Sequence, residues 1–305
     1  MTNKKNNFSR RDFLTTTAKG AVLVTTAGLY HSCKLRTKAE KEQMSEQMSE
    51  QISDQSSGPM PKRILGKTGL SISILCFGGG SQFLKNKNGE WEKHLEESIK
   101  SGINLFDTSP DYTVVSRDGS QAFTSEERFG EILPAHREKI MISTKINERE
   151  AGMARRSVEE SLRRMKTDYI DILMLHAVNE KDLVSEIEGG VYADMVQMKS
   201  EGMVRHIGFS SMDSAQRSKD LLEALDFDMA MLALNPSKWG NYPGLAFPVA
   251  IEKNVGIIAM KVMRDIVGKA ASAGELFEYS WGHEGVASSV VGNVGMEVLK
   301  ENIRL

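Results

Sequence analysis

From Lys62 onward the hydrophobic pattern alternates between two rhythms. Short, nearly unbroken apolar runs occur at Ile74–Gly78, Asn104–Asp107, Ile140–Lys145, Ile170–His176, Val204–Ser210, Met229–Asn235, Gly256–Lys261 and Ser288–Gly292. Runs of this kind predict strands of a parallel sheet, buried on both faces. A stretch with helical period follows each one: Trp91–Ser101, Ser125–Leu133, Ala151–Met165, Val184–Ser200, Ser214–Leu225, Pro243–Asn254, Gly274–Trp281 and Glu297–Ile303. Eight strand–helix units with short links predict an α/β fold, a (β/α)8 TIM barrel, which typically takes about 250 residues. The rival is a doubly wound sheet, which wants a glycine-rich phosphate turn after its first strand. Gly78-Gly79-Gly80 is rich in glycine but lacks the Gly-x-Gly-x-x-Gly spacing. Arg63–Ser73, with Gly66–Leu70 in its middle, reads as a hairpin ahead of the main sheet.

The first part of the chain follows neither rhythm. Residues 1–33 hold a basic stretch, Ser9-Arg10-Arg11-Asp12-Phe13-Leu14, and then a weakly apolar segment, Ala21–Tyr30, too short to span a bilayer. Paired arginines before such a segment resemble a twin-arginine (Tat) export signal, so the Tat translocation machinery is the expected partner. The expected location is periplasmic, or membrane-anchored on the outer side. Cys33 directly follows the apolar segment and is a candidate lipid anchor, although Tyr30-His31-Ser32 before it matches a lipobox poorly. Residues 34–61 repeat Glu-Gln-Met-Ser at Glu42 and Glu46 and read as a low-complexity linker. Residues 62–305 are then the barrel.

A net charge of −2 and 26% charged residues give no electrostatic footprint for nucleic acid. The two cysteines, Cys33 and Cys76, exclude a disulfide framework; Cys76 lies in an apolar run and reads as a small core residue. The remaining polar signal is at the strand ends. Asp107 closes the second strand, Lys145 the third and His176 the fourth, and Tyr112 lies five residues past Asp107. In such a barrel these ends share one mouth. An ammonium beside a phenol favours the phenolate and lowers its pKa. Asp107 would hold Lys145 charged, His176 would donate a hydrogen bond to a carbonyl, and Tyr112 would supply the proton. No side chain donates hydride, so a nicotinamide is implied, with a small-molecule carbonyl compound as substrate. A metal site needs His and carboxylates clustered on several strand ends, and only His176 and Asp107 are so placed. The other histidines, His94 and His206 among them, read as surface groups.

Phe106-Asp-Thr-Ser-Pro-Asp-Tyr112, Ser125-Glu-Glu-Arg-Phe-Gly130, Ser143-Thr-Lys145, Asp168 through His176, Ile207-Gly-Phe-Ser210 and Glu301-Asn302 together resemble the aldo-keto reductases. The resemblance runs from about Lys62 to the end with the motifs in order. It implies a barrel that binds NADP(H) and reduces aldehydes or ketones, with Asp107, Tyr112, Lys145 and His176 on the catalytic tetrad. Ser210 matches the serine that holds the carboxamide; Ser211 stands in place of the usual asparagine, and Met231 in place of a glutamine. Met260 replaces the aromatic residue that stacks on the nicotinamide, and Lys261 with Arg264 would meet the pyrophosphate. Glu301 and Asn302 match the adenine-side pair. Val298 stands where an arginine for the 2′-phosphate is frequent, so NAD(H) stays open beside NADP(H). The stretch Thr113–Thr124, with Arg117 and Asp118, is expected to shape the pocket. The alternative function is a barrel that holds the cofactor for sensing or binding, with little turnover.

Overall fold

The structure is a computed structural model that describes residues 60–115, 121–237 and 239–305. The paired arginines, Cys33, the Glu-Gln-Met-Ser repeat, Arg117 and Asp118 lie outside the described residues.

A short antiparallel hairpin comes first, β1 (Lys62–Ile64) with β2 (Ser71–Ser73). The strands that follow are β3 (Leu75–Gly78), β4 (Leu105–Asp107), β5 (Thr113–Val115), β6 (Gln121–Thr124), β7 (Met141–Ile146) and β8 (Ile170–Leu175). Then come β9 (Val204–Ser211), β10 (Met229–Ala233), β11 (Gly256–Met260) and β12 (Val286–Val291). All but β1, β2, β5 and β6 form one closed parallel barrel, with β12 pairing back onto β3. The doubly wound alternative is thereby excluded, because an open sheet has two unpaired edges and this one has none.

Alternation along each strand sorts the core into two layers. Cys76, Leu105, Ile172, Met174, Met229, Met231, Ile258 and Ala287 point inward and fill the barrel. Phe77, Phe106, Leu173, Phe209, Leu232 and Ile257 point outward, into the layer covered by the helices. The β1–β2 hairpin closes the N-terminal end: Leu65 and Ile72 join the inner layer, and Lys67 N donates to Asn254 O at 2.6 Å. The opposite, C-terminal end is left for the polar residues.

Three local features differ from the expectation. The helix expected over Val184–Ser200 is broken into Val184–Ile187, a wide π turn at Glu188–Tyr192 and Ala193–Ser200. The cause is Gly190, whose absent side chain lets the Arg149 carbonyl approach; a Cβ there would lie 2.3 Å from that oxygen. The stretch after Tyr112, expected to shape the pocket, is an antiparallel hairpin, β5 with β6. His94 is buried, not on the surface, with Nδ1 2.7 Å from Glu90 O, and His206 is half-buried on β9. His94 shares the buried face of its helix with Trp91, Leu95 and Ser98.

Gly208 on β9 faces Met229 on β10, and a Cβ there would lie 2.4 Å from the Met229 carbonyl oxygen. Gly208→Ala is expected to lower stability by about 1–3 kcal/mol in urea unfolding. An unchanged midpoint would contradict this β9–β10 register.

Candidate active site

The stagger of a tilted barrel brings the polar residues together. Asp107 lies opposite Ser143 on β7; Lys145, two residues further along the same face, lies opposite Met174; His176 is two residues beyond Met174. Each step around the barrel therefore moves the polar side chain two residues toward the mouth. Lys145 Nζ donates to both Asp107 carboxylate oxygens, at 2.8 and 2.7 Å, and to the Thr108 carbonyl at 2.6 Å. Ser143 Oγ donates to Asp107 Oδ1 at 2.8 Å. Asp107 and Lys145 are both buried, so neither charge has water in place of its partner.

The Tyr112 ring covers this pair, its centre 4.9 Å from Lys145 Nζ. Gly80 lies beside the ring, where a Cβ would make ordinary contact with it at 3.6 Å. Burial pulls the Lys145 pKa down, but Asp107 and Tyr112 outweigh it and the net direction is up. Lys145 is an ammonium at neutral pH. For Tyr112 the sign differs from the sequence expectation. Burial raises its pKa more than Lys145 lowers it, and Asp107 adds to the rise, so the phenol ends above its ordinary value.

His176 stands edge-on to Tyr112, with ring centres 6.0 Å apart. Its Nδ1 lies 3.3 Å from Asp111 Oδ2 and 3.4 Å from Ser109 Oγ. Burial, then the Lys145 charge, push its pKa down to about 4, against the pull of Asp111. It is a neutral imidazole at pH 7. Arg149 holds the backbone here, donating to His176 O at 2.7 Å and to Asp182 at 2.7 Å.

The other half of the mouth is built by β9 and β11. Ser210 is buried at the inner end of β9, and its Oγ accepts from Ala177 N at 3.0 Å, which leaves its own O–H to donate. Lys261 directly follows β11, in the left-handed region at φ 62°. Burial lowers its pKa first, and repulsion from Arg264 and Lys145 lowers it further. No carboxylate among the described residues lies within ion-pair distance of it. Met260, half-buried on the inner face of β11, offers an apolar surface. A free hydroxyl donor, an apolar plate and an underpartnered ammonium fit, respectively, the amide, ring and pyrophosphate of a nicotinamide dinucleotide.

Three of the sequence candidates are not gathered into this arrangement. The Ser211 side chain is fully buried and its hydroxyl is engaged with Val178 O at 2.7 Å and Tyr242 Oη at 2.9 Å. Asn302 is buried and donates to Asn293 Oδ1 at 2.7 Å, bracing the turn after β12, while Glu301 is exposed. Cys76 is fully buried in the inner layer, as its apolar run suggested.

Several supporting residues gave no signal as single letters. Asn235 donates to Lys261 O at 3.2 Å and so fixes the cationic turn. Arg128 is buried against the Phe123 ring of β6, 4.1 Å from its centre, and donates to Phe83 O and Asn86 O at 3.2 and 3.0 Å. Asn86 in turn donates to Asn293 O at 2.9 Å and accepts from Gly295 N at 2.8 Å. One buried guanidinium thus joins the hairpin beside Tyr112 to the turn before the last helix. Arg128 lies within the Ser125–Gly130 motif, the one hint the sequence carried.

Residues 75–267 match the aldo/keto reductase family. The chain is 32% identical over 162 residues to L-galactose dehydrogenase of Arabidopsis thaliana, covering 49% of this chain and 48% of that protein. It is 29% identical over 209 residues to L-glyceraldehyde 3-phosphate reductase of Escherichia coli K12, covering 62% and 57%. The aligned parts thus span roughly half of each of these two relatives. Among solved structures, an aldo-keto reductase from Pseudomonas aeruginosa superposes with a TM-score of 0.65 at 28% identity, over 80% of this chain and 92% of that one.

Removing the ammonium would leave Asp107 buried and unpaired. Lys145→Met is expected to cost about 3–5 kcal/mol in chemical unfolding, and Asp107→Asn in the same chain to restore part of it. Independent, additive losses would contradict the pairing. In the cofactor-free protein, the ultraviolet phenolate signal that Tyr112→Phe removes is expected to titrate above the ordinary tyrosine value of 10.0. Titration below that value would contradict the dominance of burial.

Proposed function

The chain belongs to the aldo/keto reductase family of oxidoreductases, and on that premise we propose that it catalyses hydride transfer between NAD(P)H and the carbonyl carbon of an aldehyde or ketone. The observation that carries this reading is the buried Lys145 ammonium, bonded to Asp107 and set against the face of Tyr112. A nicotinamide, when bound, supplies the hydride. The protein residues manage the proton. Tyr112 keeps its proton in the resting site because burial disfavours the phenolate. As negative charge develops on the substrate oxygen, the proton moves from Tyr112 Oη to that oxygen, and the phenolate left behind meets the ammonium. The attraction between Lys145 and Tyr112 is thus realised mainly as the reaction proceeds, the condition for lowering a barrier rather than merely binding substrate. Ser210, Met260 and Lys261 would hold the amide, ring and pyrophosphate of the dinucleotide. NADP(H) is the family expectation; exposed Val298 supplies no cation for a 2′-phosphate, so NAD(H) is a second candidate.

The export reading rests on Ser9-Arg10-Arg11-Asp12-Phe13-Leu14 and the apolar segment behind it. A twin-arginine route carries folded proteins, so the barrel would leave the cytoplasm with its dinucleotide bound and act outside, periplasmic or held at the membrane through Cys33. Among the described residues no helix is long and apolar enough to cross a membrane. A second reading, a barrel that holds the cofactor with little turnover, is favoured by Met231 and by the engaged Ser211 hydroxyl on the cofactor side.

NADPH oxidation with a simple aldehyde separates the two readings. The enzyme reading expects steady turnover that Tyr112→Phe lowers by about 10²–10⁴-fold. Equal traces for both proteins would support the sensing role. For export, Arg10→Lys with Arg11→Lys is expected to shift the protein to the cytoplasmic fraction; unchanged fractionation would contradict the Tat assignment.

A further inference from the structure

Asp111 brings to the substrate half of the mouth a charge that no cation among the described residues answers. It directly precedes Tyr112, and more than half of its side chain is exposed at the rim. Its Oδ2 lies 3.3 Å from His176 Nδ1 and accepts from Asn147 Nδ2 at 2.6 Å. Neither neighbour neutralises it, because Asn147 is uncharged and His176 is a neutral imidazole. The charged groups that bear most on the Tyr112 phenol and the His176 ring are Lys145, Asp107, Arg149 and Asp111. Three of these four are already matched. Lys145 is paired with Asp107, and Arg149 with Asp182 through two bonds, at 2.7 and 3.3 Å. Asp111 is left as the uncompensated charge beside the two groups that would meet a carbonyl.

We infer that Asp111 selects substrates by charge: it turns away carbonyl compounds that carry a carboxylate or phosphate and leaves the site to uncharged ones. The inference deepens the reductase reading and rests on it. A carbonyl that takes its proton from Tyr112 must point the rest of its molecule outward, because the buried Asp107–Lys145 pair fills the floor. The Asp111 carboxylate stands at that exit, against the imidazole that faces Tyr112 edge-on. Lys261 and Arg264, on the cofactor half, do not offset it, since the pyrophosphate of the dinucleotide would take up their charge. Like charges about 6 Å apart at a half-wet rim repel enough to weaken binding by about tenfold. Asp111 is thus a specificity-determining residue and takes no part in the proton transfer.

The test compares 4-oxobutanoate with its methyl ester, two aldehydes of nearly equal reach that differ by one negative charge. Steady-state kcat/KM is measured on the full chain with NADPH or NADH, whichever is oxidised faster. The wild-type protein is expected to favour the ester by at least about tenfold. Asp111→Asn keeps the size of the side chain and removes its charge. It is expected to raise the ratio of 4-oxobutanoate to ester by about five- to tenfold. The ratio cancels any loss that falls on both aldehydes alike. Raising the ionic strength from about 0.02 to about 0.5 M is expected to shrink the wild-type preference and leave the Asp111→Asn ratio nearly level. A merely structural role for Asp111 would move neither the ratio nor its salt dependence. A wild-type kcat/KM for the anion equal to or above that for the ester, or a preference that survives Asp111→Asn, would overturn the inference while the reductase reading stands. Turnover of neither aldehyde would strike the reductase reading, and the charge selection would fall with it.

Discussion

The Asp107–Lys145 ion pair is the constraint on which the rest of the site depends. Burying two charges costs several kcal/mol per ion, and close pairing with full hydrogen bonding is what offsets it. Here the carboxylate takes Lys145 and Ser143, and the ammonium takes both carboxylate oxygens and the Thr108 carbonyl. None of these contacts exists without the β4–β7 register that sets Asp107 opposite Ser143. The closed barrel is therefore more than a scaffold for the pair, because its stagger decides which side chains can meet. Once formed, the pair fixes a positive charge at the Tyr112 ring; burial, helped by that charge, keeps His176 neutral.

The mouth divides into two halves with different chemistry. β4, β7 and β8 bring the acid, the ammonium and the imidazole, while β9 brings a hydroxyl and β11, with the turn after it, an apolar plate and a cation. A dinucleotide lying along the second half would present its ring to the first. The halves are tied together at their rims by Arg128, Asn86 and Asn293. Burial pulls the Arg128 pKa down to about 10, which still leaves it charged at neutral pH. A charged side chain placed there, bonded to two carbonyls and stacked on Phe123, serves to join segments that come from distant parts of the chain.

The strands were legible because buried parallel strands are short apolar runs, and their order followed from the alternation with helices. Asp107, Lys145 and His176 were legible because each ends such a run, where a polar residue is costly unless it is used. What escaped was whatever depends on a partner far away in the sequence. The split at Gly190 follows from contact with Arg149, some forty residues earlier. The direction of the Tyr112 shift depends on how deeply the ring is covered, which a residue pattern does not specify. Ser211 stands where the family usually has an asparagine, yet alternation along β9 turns it outward to Tyr242. Asn86, Arg128, Asn235 and Asn293 are polar residues in turns or on a helix, and nothing near them in sequence distinguishes them from solvated positions.

A double-mutant cycle on kcat/KM for aldehyde reduction, with Tyr112→Phe, Lys145→Met and the pair combined, tests the central claim most directly. If the ammonium acts through the phenol, removing it after the phenol is gone costs little, and the double variant should fall within about threefold of Tyr112→Phe alone. Losses that multiply across the two substitutions would mean that Lys145 and Tyr112 contribute separately, and would contradict the account.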